Sequence, residues 1–174
     1  MQIFGPLIRA FRRGAIVAAA AAILAAGATP ASAQQDDGHR AEAALMVTLT
    51  NRVRSAVGEP NLIVRDDLVA LACEWADKVQ ADHNIGHSPY IFDRDLLASR
   101  VGRDWSVAGE NVGSGSDVYV IHGALVGSPT HYRNLVEPEF AYVGICIRND
   151  RSGNLYVVQE FLSAKVTKAR KAKK

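Results

Sequence analysis

The fold is decided by residues 140–162, which read FAYVGICIRNDRSGNLYVVQEFL. Residues 140–147 and 155–162 are rich in β-branched and aromatic side chains, and the polar segment 148–154 between them is typical of a turn, so the stretch predicts a β-hairpin. Both runs are apolar at consecutive positions, which indicates strands buried on both faces and a layer of helices on each side. We therefore predict an α+β fold, a three-layer α-β-α sandwich with a small, mainly antiparallel central sheet.

Two amphipathic helices are predicted before the hairpin. The first begins at Ala41 and repeats an apolar residue at every fourth position, at Leu45, Leu49 and Val53. The second begins after Asp66-Asp67, whose carboxylates suit the N-terminal turn of a helix. Its apolar residues have helical spacing and are expected in the core: Leu68, Leu71, Ala72, Trp75, Ala76 and Val79.

The middle of the chain is predicted to hold short elements. In order they are a loop over Asn84–Tyr90, a short helix within Asp93–Arg103, a strand over Val107–Val112, a glycine- and serine-rich loop over Gly113–Ser116, a helix capped by Asp117, and a helix capped by Ser128 with Pro129 in its first position.

The first thirty-three residues are predicted to be an export signal. Residues 1–13 are basic, residues 15–26 are almost wholly apolar, and Ala31-Ser32-Ala33 has the pattern of a cleavage site. An uncleaved anchor is the alternative, but the apolar run is shorter than the about 20 residues that a membrane span needs. We expect cleavage after Ala33 and a secreted, extracytoplasmic protein. The rest of the chain divides into an N-terminal extension (34–44), a single domain (45–164) and a basic tail (165–174).

Composition and charge argue against two classes of protein. Hydrophobic residues make up 48% of the chain and charged residues 22%, which excludes a long disordered polymer. Residues 34–164 carry 11 basic and 18 acidic residues, a net charge of −7, which disfavours a nucleic-acid-binding core. The tail, Lys165–Lys174, is either a solvated end or a contact for anionic polymer or lipid headgroups.

The two cysteines of the chain, Cys73 and Cys146, leave two alternatives open. They form one disulfide in an oxidising compartment, or they are two buried thiols. Helical spacing places Cys73 off the apolar stripe of its helix, so it faces another part of the structure.

Polar stretches interrupt the apolar scaffold and contain three candidate functional residues, His87, Glu110 and His131. If Ser128 caps its helix, His131 is the third helical residue, where the positive end of the helix favours a neutral imidazole that can bind a metal ion or accept a proton. Glu110 follows a glycine in an apolar strand, where burial raises the pKa of a carboxyl group unless a cation or donor faces it. His87 lies on a loop and can approach the other two residues.

Two histidines and a carboxylate can bind a divalent metal, preferentially zinc. The alternative is that the three side chains hydrogen-bond loops to the sheet. Ser88 beside His87, or Ser128 before His131, suggests a serine hydrolase, but the chain contains no G-x-S-x-G nucleophile elbow. Asn134 is expected to satisfy backbone groups locally.

In this order the residues resemble a known family, the CAP (SCP-like) domain of cysteine-rich secretory, antigen 5 and pathogenesis-related proteins, in its bacterial branch. The resemblance extends from about Leu45 to Leu162. The matching motifs are Leu49-Thr50-Asn51-x-x-Arg54, Ala72-x-x-Trp75-Ala76, His87-Ser88, Gly109-Glu110-Asn111, Ser128-Pro129-x-His131-x-x-Asn134 and Tyr142-Val143-Gly144. The resemblance implies a secreted α-β-α sandwich whose central cavity usually holds two histidines and two glutamates and can bind a divalent metal. By motif match His87, Glu110 and His131 are three of those four residues.

The chain departs from the family at the fourth residue. The second glutamate usually lies on the helix just before the second histidine motif, where this chain has Gly127 or Ser128. His122 or Glu160 can point into the same cavity instead.

We therefore predict a monomeric, non-enzymatic module that binds a small ligand, a divalent metal or a cell-envelope component through His87, Glu110 and His131. The alternatives are a metal-dependent, peptidase-like hydrolase with Glu110 as its base, and a purely structural or interaction module.

Overall fold

The computed structural model describes residues 38–164. The predicted export signal, its cleavage site after Ala33 and the basic tail lie outside the described residues. In chain order the elements are α1 (Arg40–Ala56), β1 (Ile63–Val64), α2 (Asp66–Asp82), a 3₁₀ helix (Pro89–Ile91), α3 (Arg94–Val101), β2 (Ala108–Gly115), α4 (Val118–Gly127), α5 (Pro129–Val136), β3 (Phe140–Asn149) and β4 (Leu155–Ser163). Helix α1 therefore begins inside the segment 34–44. Between residues 38 and 164 no helix is both long and apolar enough to span a bilayer.

The four strands form one sheet in the order β1-β3-β4-β2. Strands β3 and β4 are the predicted hairpin, and β2 pairs antiparallel with β4 along its whole length. Only the two-residue β1 is parallel to its neighbour, β3. The predicted mainly antiparallel sheet is confirmed, and β2 forms one of its edges.

Helices cover both faces of this sheet, as the hairpin sequence predicts. Helices α1, α4 and α5 pack on one face, against alternate residues of β3 and β4 such as Val143 and Phe161. Helices α2 and α3 pack on the other face, against the intervening residues such as Cys146 and Leu162. Strand β2, at the edge of the sheet, is contacted by α4 and α5 and by the 3₁₀ helix that follows α2.

The buried face of α1 differs from the predicted stripe. Met46, Leu49 and Arg54 are buried, whereas Leu45 and Val53 are only partly buried. The Arg54 side chain is fully buried, and its burial lowers the pKa of its guanidinium group. The guanidinium donates hydrogen bonds to the carbonyl oxygens of Pro60 (2.8 Å), Leu135 (3.1 Å), Glu137 (2.9 Å) and Phe140 (3.1 Å). Arg54 therefore joins α1 to the segment between α5 and β3.

Helix α2 lies in direct backbone contact with β3. A Cβ atom added to Gly144 would lie 2.1 Å from the carbonyl carbon of Leu68, so only glycine permits this approach. One helical turn further on, Cys73 forms a disulfide with Cys146, with the two Cα atoms 4.9 Å apart. Of the two alternatives for the cysteines, a disulfide or two buried thiols, the structure contains the disulfide.

The prediction of a loop over Gly113–Ser116 is wrong in part, because β2 continues to Gly115. Added Cβ atoms at Gly113 and Gly115 would lie 3.1 Å and 3.0 Å from side-chain carbons of Ile121 on α4. The glycines therefore allow a helix to pack closely on the strand, a use of glycine that composition alone does not distinguish from a loop.

Candidate functional site

The carboxylate of Glu110 joins the His87 loop to strand β2. Glu110 is buried, and its Oε1 accepts hydrogen bonds from His87 Nδ1 (2.6 Å) and from the backbone amide of Ser88 (3.0 Å). Its Oε2 also lies 3.2 Å from the Ser88 amide. Donors therefore face this buried carboxyl group, and His87 is one of them.

His131 is the third residue of α5, as predicted, but Ser128 does not cap the helix with its side chain. The hydroxyl of Ser128 instead pairs with Nδ1 of His131 at 3.0 Å. Burial lowers the pKa of His131, and the nearby His87 lowers it further. The expected neutral imidazole is thus favoured, with burial as the larger cause in the structure and the nearby His87 as the second.

Two asparagines set the position of α5 on β2. Asn134 donates to the carbonyl oxygen of Glu110 and to Oδ1 of Asn111, both at 2.9 Å. Asn111 donates in turn to the carbonyl oxygen of His131 at 3.2 Å. Asn134 bonds a backbone group, as predicted, but the group is not local, because the amide connects α5 to the strand that carries Glu110.

A cavity of about 220 Å³ lies at this edge of the sheet. Its lining combines the three predicted residues with apolar and polar neighbours: His87, Ile91, Phe92, Ala108, Gly109, Glu110, Thr130, His131 and Asn134. His87 reaches the cavity from the loop after α2, and His131 reaches it from α5. Phe92 is 78% exposed, and its ring centroid lies 6.3 Å from that of His87 in an edge-to-face arrangement.

Glu160 supplies a second buried carboxyl group beside Glu110. The two residues are directly opposite in the β2–β4 register, and their side chains hydrogen-bond to each other. Burial raises the pKa of Glu160 well above its usual range, and the charge of Glu110 raises it further. Of the two substitutes considered for the missing glutamate, Glu160 is therefore beside Glu110. His122 lies on α4, and neither His122 nor Glu160 lines the cavity itself.

The residues do not form a complete metal site. Within residues 38–164, no group of three His, Cys, Asp or Glu side chains is arranged to hold a metal ion. The Glu110 carboxylate already accepts hydrogen bonds from His87 and Ser88, which leaves two imidazoles as candidate ligands, whereas zinc sites in proteins normally have three or four protein ligands. Metal binding by His87, Glu110 and His131 stays a prediction.

The pair of Ser128 and His131 does not complete a serine-hydrolase triad. A triad needs an acid that orients the histidine through its other ring nitrogen. Among the described residues no carboxylate pairs with His131, whose only side-chain hydrogen bond is the one to Ser128.

The fold is shared with solved structures of low sequence identity. An outer surface protein of Borrelia burgdorferi is 17% identical with a TM-score of 0.65, covering 73% of this chain and 96% of its own. An extracellular SCP-domain protein of Bacillus anthracis is 21% identical with a TM-score of 0.60, covering 71% of this chain and 40% of its own. NaASP2, solved with Zn²⁺, is 17% identical with a TM-score of 0.53, covering 72% and 82%. These likenesses establish the fold.

A comparison with curated protein sequences gave no significant match. The model of the CAP family, described as the cysteine-rich secretory protein family, matches residues 47–161, which is most of the domain described above. The match includes all three predicted site residues and Glu160. The chain therefore belongs to the CAP, or cysteine-rich secretory protein, family.

Proposed function

We propose that this CAP domain is a non-enzymatic binding module that holds a small ligand in the cavity of His87, Glu110 and His131. One observation carries the proposal: an imidazole from the loop after α2 and an imidazole from α5 reach one cavity, and each has its Nδ1 engaged by the protein. Among residues 38–164 no group pairs with either Nε2. The two Nε2 atoms are therefore available to a ligand.

The lining of the cavity supports a ligand with both polar and apolar parts. Ile91, Phe92 and Ala108 offer apolar surface, while Thr130 and the imidazoles offer hydrogen-bonding groups. The volume of about 220 Å³ is below the range of about 300–1,000 Å³ that is usual for drug-sized ligands. A single ring or a short chain bearing hydroxyl or carboxyl groups, free or at the end of a larger molecule, fits these limits.

A location outside the cytoplasm belongs to the same proposal. The sequence predicts an export signal that ends at Ala33, and the relatives are described as an outer surface protein and an extracellular protein. The disulfide between Cys73 and Cys146 suits an oxidising compartment.

The test is a ligand-observed NMR screen of the purified protein with small polar-apolar compounds, including monosaccharides and short-chain carboxylic acids. His87→Ala and His131→Ala are compared with wild type, and His83→Ala is the matched control. His83 is also an exposed histidine whose Nδ1 is engaged, by Tyr156, but it lines a different cavity. We expect binding by wild type and the control, and at least tenfold weaker binding by the two site variants. Equal binding by all four proteins, or no binding by wild type, contradicts the proposal.

The competing functions give different results with the same proteins. Stoichiometric zinc in wild type that is lost in both site variants, measured by elemental analysis, favours a metal site. Turnover of peptide or ester substrates that is lost in Glu110→Ala favours the hydrolase.

We further propose that the basic tail, Lys165–Lys174, attaches the protein to an anionic envelope component. The six positive charges of the tail contrast with the net charge of −7 over residues 34–164. Attachment of this kind weakens as salt rises, because mobile ions screen exposed charges. A variant with all six basic tail residues changed to Gln is expected to leave isolated envelopes at low salt, where wild type stays bound. Equal retention of the two proteins contradicts attachment by the tail.

A further inference from the structure

We propose that Trp75 is a positioning residue for His87, acting through a hydrogen bond from its indole to the loop. The inference rests on the proposed function, in which His87 contacts the ligand. Helical spacing places Trp75 among core residues, but its side chain is only partly buried. Its Nε1 donates to the carbonyl oxygen of Gly86 at 2.8 Å, directly before His87 in the chain.

The loop around His87 has few other attachments. Residues 84–88 have no helical or strand structure, Ile85 is exposed, and the Gly86 amide bonds only within the loop, to Asn84. On the far side of His87, the Ser88 amide bonds to Glu110. Within the described part of the chain, the backbone beside His87 is therefore held at two points, the indole of Trp75 before it and the carboxylate of Glu110 after it.

The neighbour of Trp75 on α2 holds the other end of the segment. The hydroxyl of Tyr90 hydrogen-bonds to the carboxylate of Glu74. Arg100 on α3 donates to both groups, at 2.5 Å each. Two consecutive residues of α2 thus fix the chain before and after His87.

Helix α2 is itself fixed to the sheet at the same turn. Cys73 precedes Glu74 and is bonded to Cys146 on β3. A tryptophan on a rigid helix is a suitable support for a binding residue on a loop, because a loop without such support samples many conformations. Loss of the indole N–H is expected to loosen the loop while leaving the core intact.

The test compares Trp75→Phe with the matched variant Trp105→Phe. Trp105 also donates its indole N–H to a glycine carbonyl, that of Gly102 at 2.7 Å, but it packs between α2 and α3 away from the cavity lining. Amide hydrogen exchange is measured by NMR for Ser88 and, as a reference within β4, for Val157.

We expect the Ser88 amide to exchange about tenfold faster in Trp75→Phe and unchanged in Trp105→Phe, the factor that a hydrogen bond of ordinary net strength contributes. Val157 is expected to exchange at the wild-type rate in both. Wild-type Ser88 exchange in Trp75→Phe, or equally faster exchange of Ser88 and Val157, overturns the proposal.

A second variant keeps the test decisive if Trp75→Phe does not fold. Benzothienylalanine, which has sulfur in place of the indole N–H, is incorporated into Trp105→Phe, where Trp75 is the only tryptophan. The same increase in Ser88 exchange is expected, and wild-type exchange overturns the proposal. Neither measurement uses a ligand, so a failure of the proposed function in the NMR screen is distinguishable from a failure of this inference.

Discussion

Glu110 on β2 and Glu160 on β4 are directly opposite each other in the sheet, and both carboxyl groups are buried. Two carboxylates this close in a medium of low dielectric constant cannot both be ionised without a large cost. His87 and the Ser88 amide donate to Glu110, whereas Oε1 of Glu160 has no hydrogen-bond partner within residues 38–164. Burial and the neighbouring Glu110 therefore both raise the pKa of Glu160 and favour its protonated form.

The protonated Glu160 makes a pH dependence of stability testable. Its pKa is raised in the folded state, so between the unfolded value of about 4.3 and the folded value the native state binds more protons, and stability falls as pH rises. Glu160→Gln keeps a donor toward Glu110 but cannot ionise. We expect Glu160→Gln to become more stable relative to wild type, with a larger free energy of unfolding, as pH rises from 4 to 8.

Urea denaturation across this pH range measures the difference between the two proteins. Glu139→Gln is the control, because Glu139 is exposed and no pH-dependent difference from wild type is expected. Parallel pH profiles for wild type and Glu160→Gln contradict the assignment of the proton to Glu160.

The residue that lies opposite Glu110 could not be predicted from the sequence, whereas much of the fold and site could. Two runs of consecutive apolar residues and the polar turn between them predicted β3, β4 and the helical layers. Three motifs predicted His87, Glu110 and His131 as one group, and all three residues line the same cavity. Which residue faces Glu110 depends on the register between β2 and β4, which are separated by two helices and a strand. No local pattern specifies that register, so Glu160 was one of two substitutes considered.

The burial of Arg54 could not be predicted from its residue type either. An arginine beside the apolar face of an amphipathic helix is normally predicted to lie at the edge of that face, with its charge in solvent. Arg54 is instead fully buried. Its acceptors are backbone carbonyl oxygens, which every sequence supplies, so no partner residue signals the interaction.

Arg54→Met is expected to destabilise the fold by about 3–5 kcal/mol. The substitution keeps much of the side-chain volume but leaves the buried carbonyl groups of Leu135 and Phe140 without their donor, and buried polar groups without partners are costly. Arg52→Met, on the exposed face of the same helix, is the control and is expected to change stability by less than about 0.5 kcal/mol. Similar urea midpoints for the two variants would show that the four hydrogen bonds of Arg54 contribute little.

Gly144→Ala tests the contact between α2 and β3. The new methyl group overlaps the backbone of Leu68, which cannot move away without shifting the whole helix, so we expect a loss of about 3 kcal/mol or more. Gly123→Ala on α4 is the matched control. A Cβ there meets nothing within 4 Å, and alanine favours the helix by up to about 1 kcal/mol. Thermal unfolding should therefore move in opposite directions for the two variants, and a wild-type melting temperature for Gly144→Ala contradicts the close approach.

The disulfide is expected to stabilise the protein through the unfolded state. Cys73 and Cys146 are 73 positions apart, and closing a loop of that length lowers the entropy of the unfolded chain by an amount worth about 4 kcal/mol at 25 °C. Wild type should unfold at lower urea concentration when a thiol reductant is present. The double variant Cys73→Ala, Cys146→Ala should unfold near the reduced wild type and should not respond to the reductant. Because Cys73 immediately precedes the two residues that hold the His87 loop, faster exchange of the Ser88 amide in the double variant is expected as well. Unfolding of wild type that is the same with and without reductant excludes a stabilising bond between these cysteines.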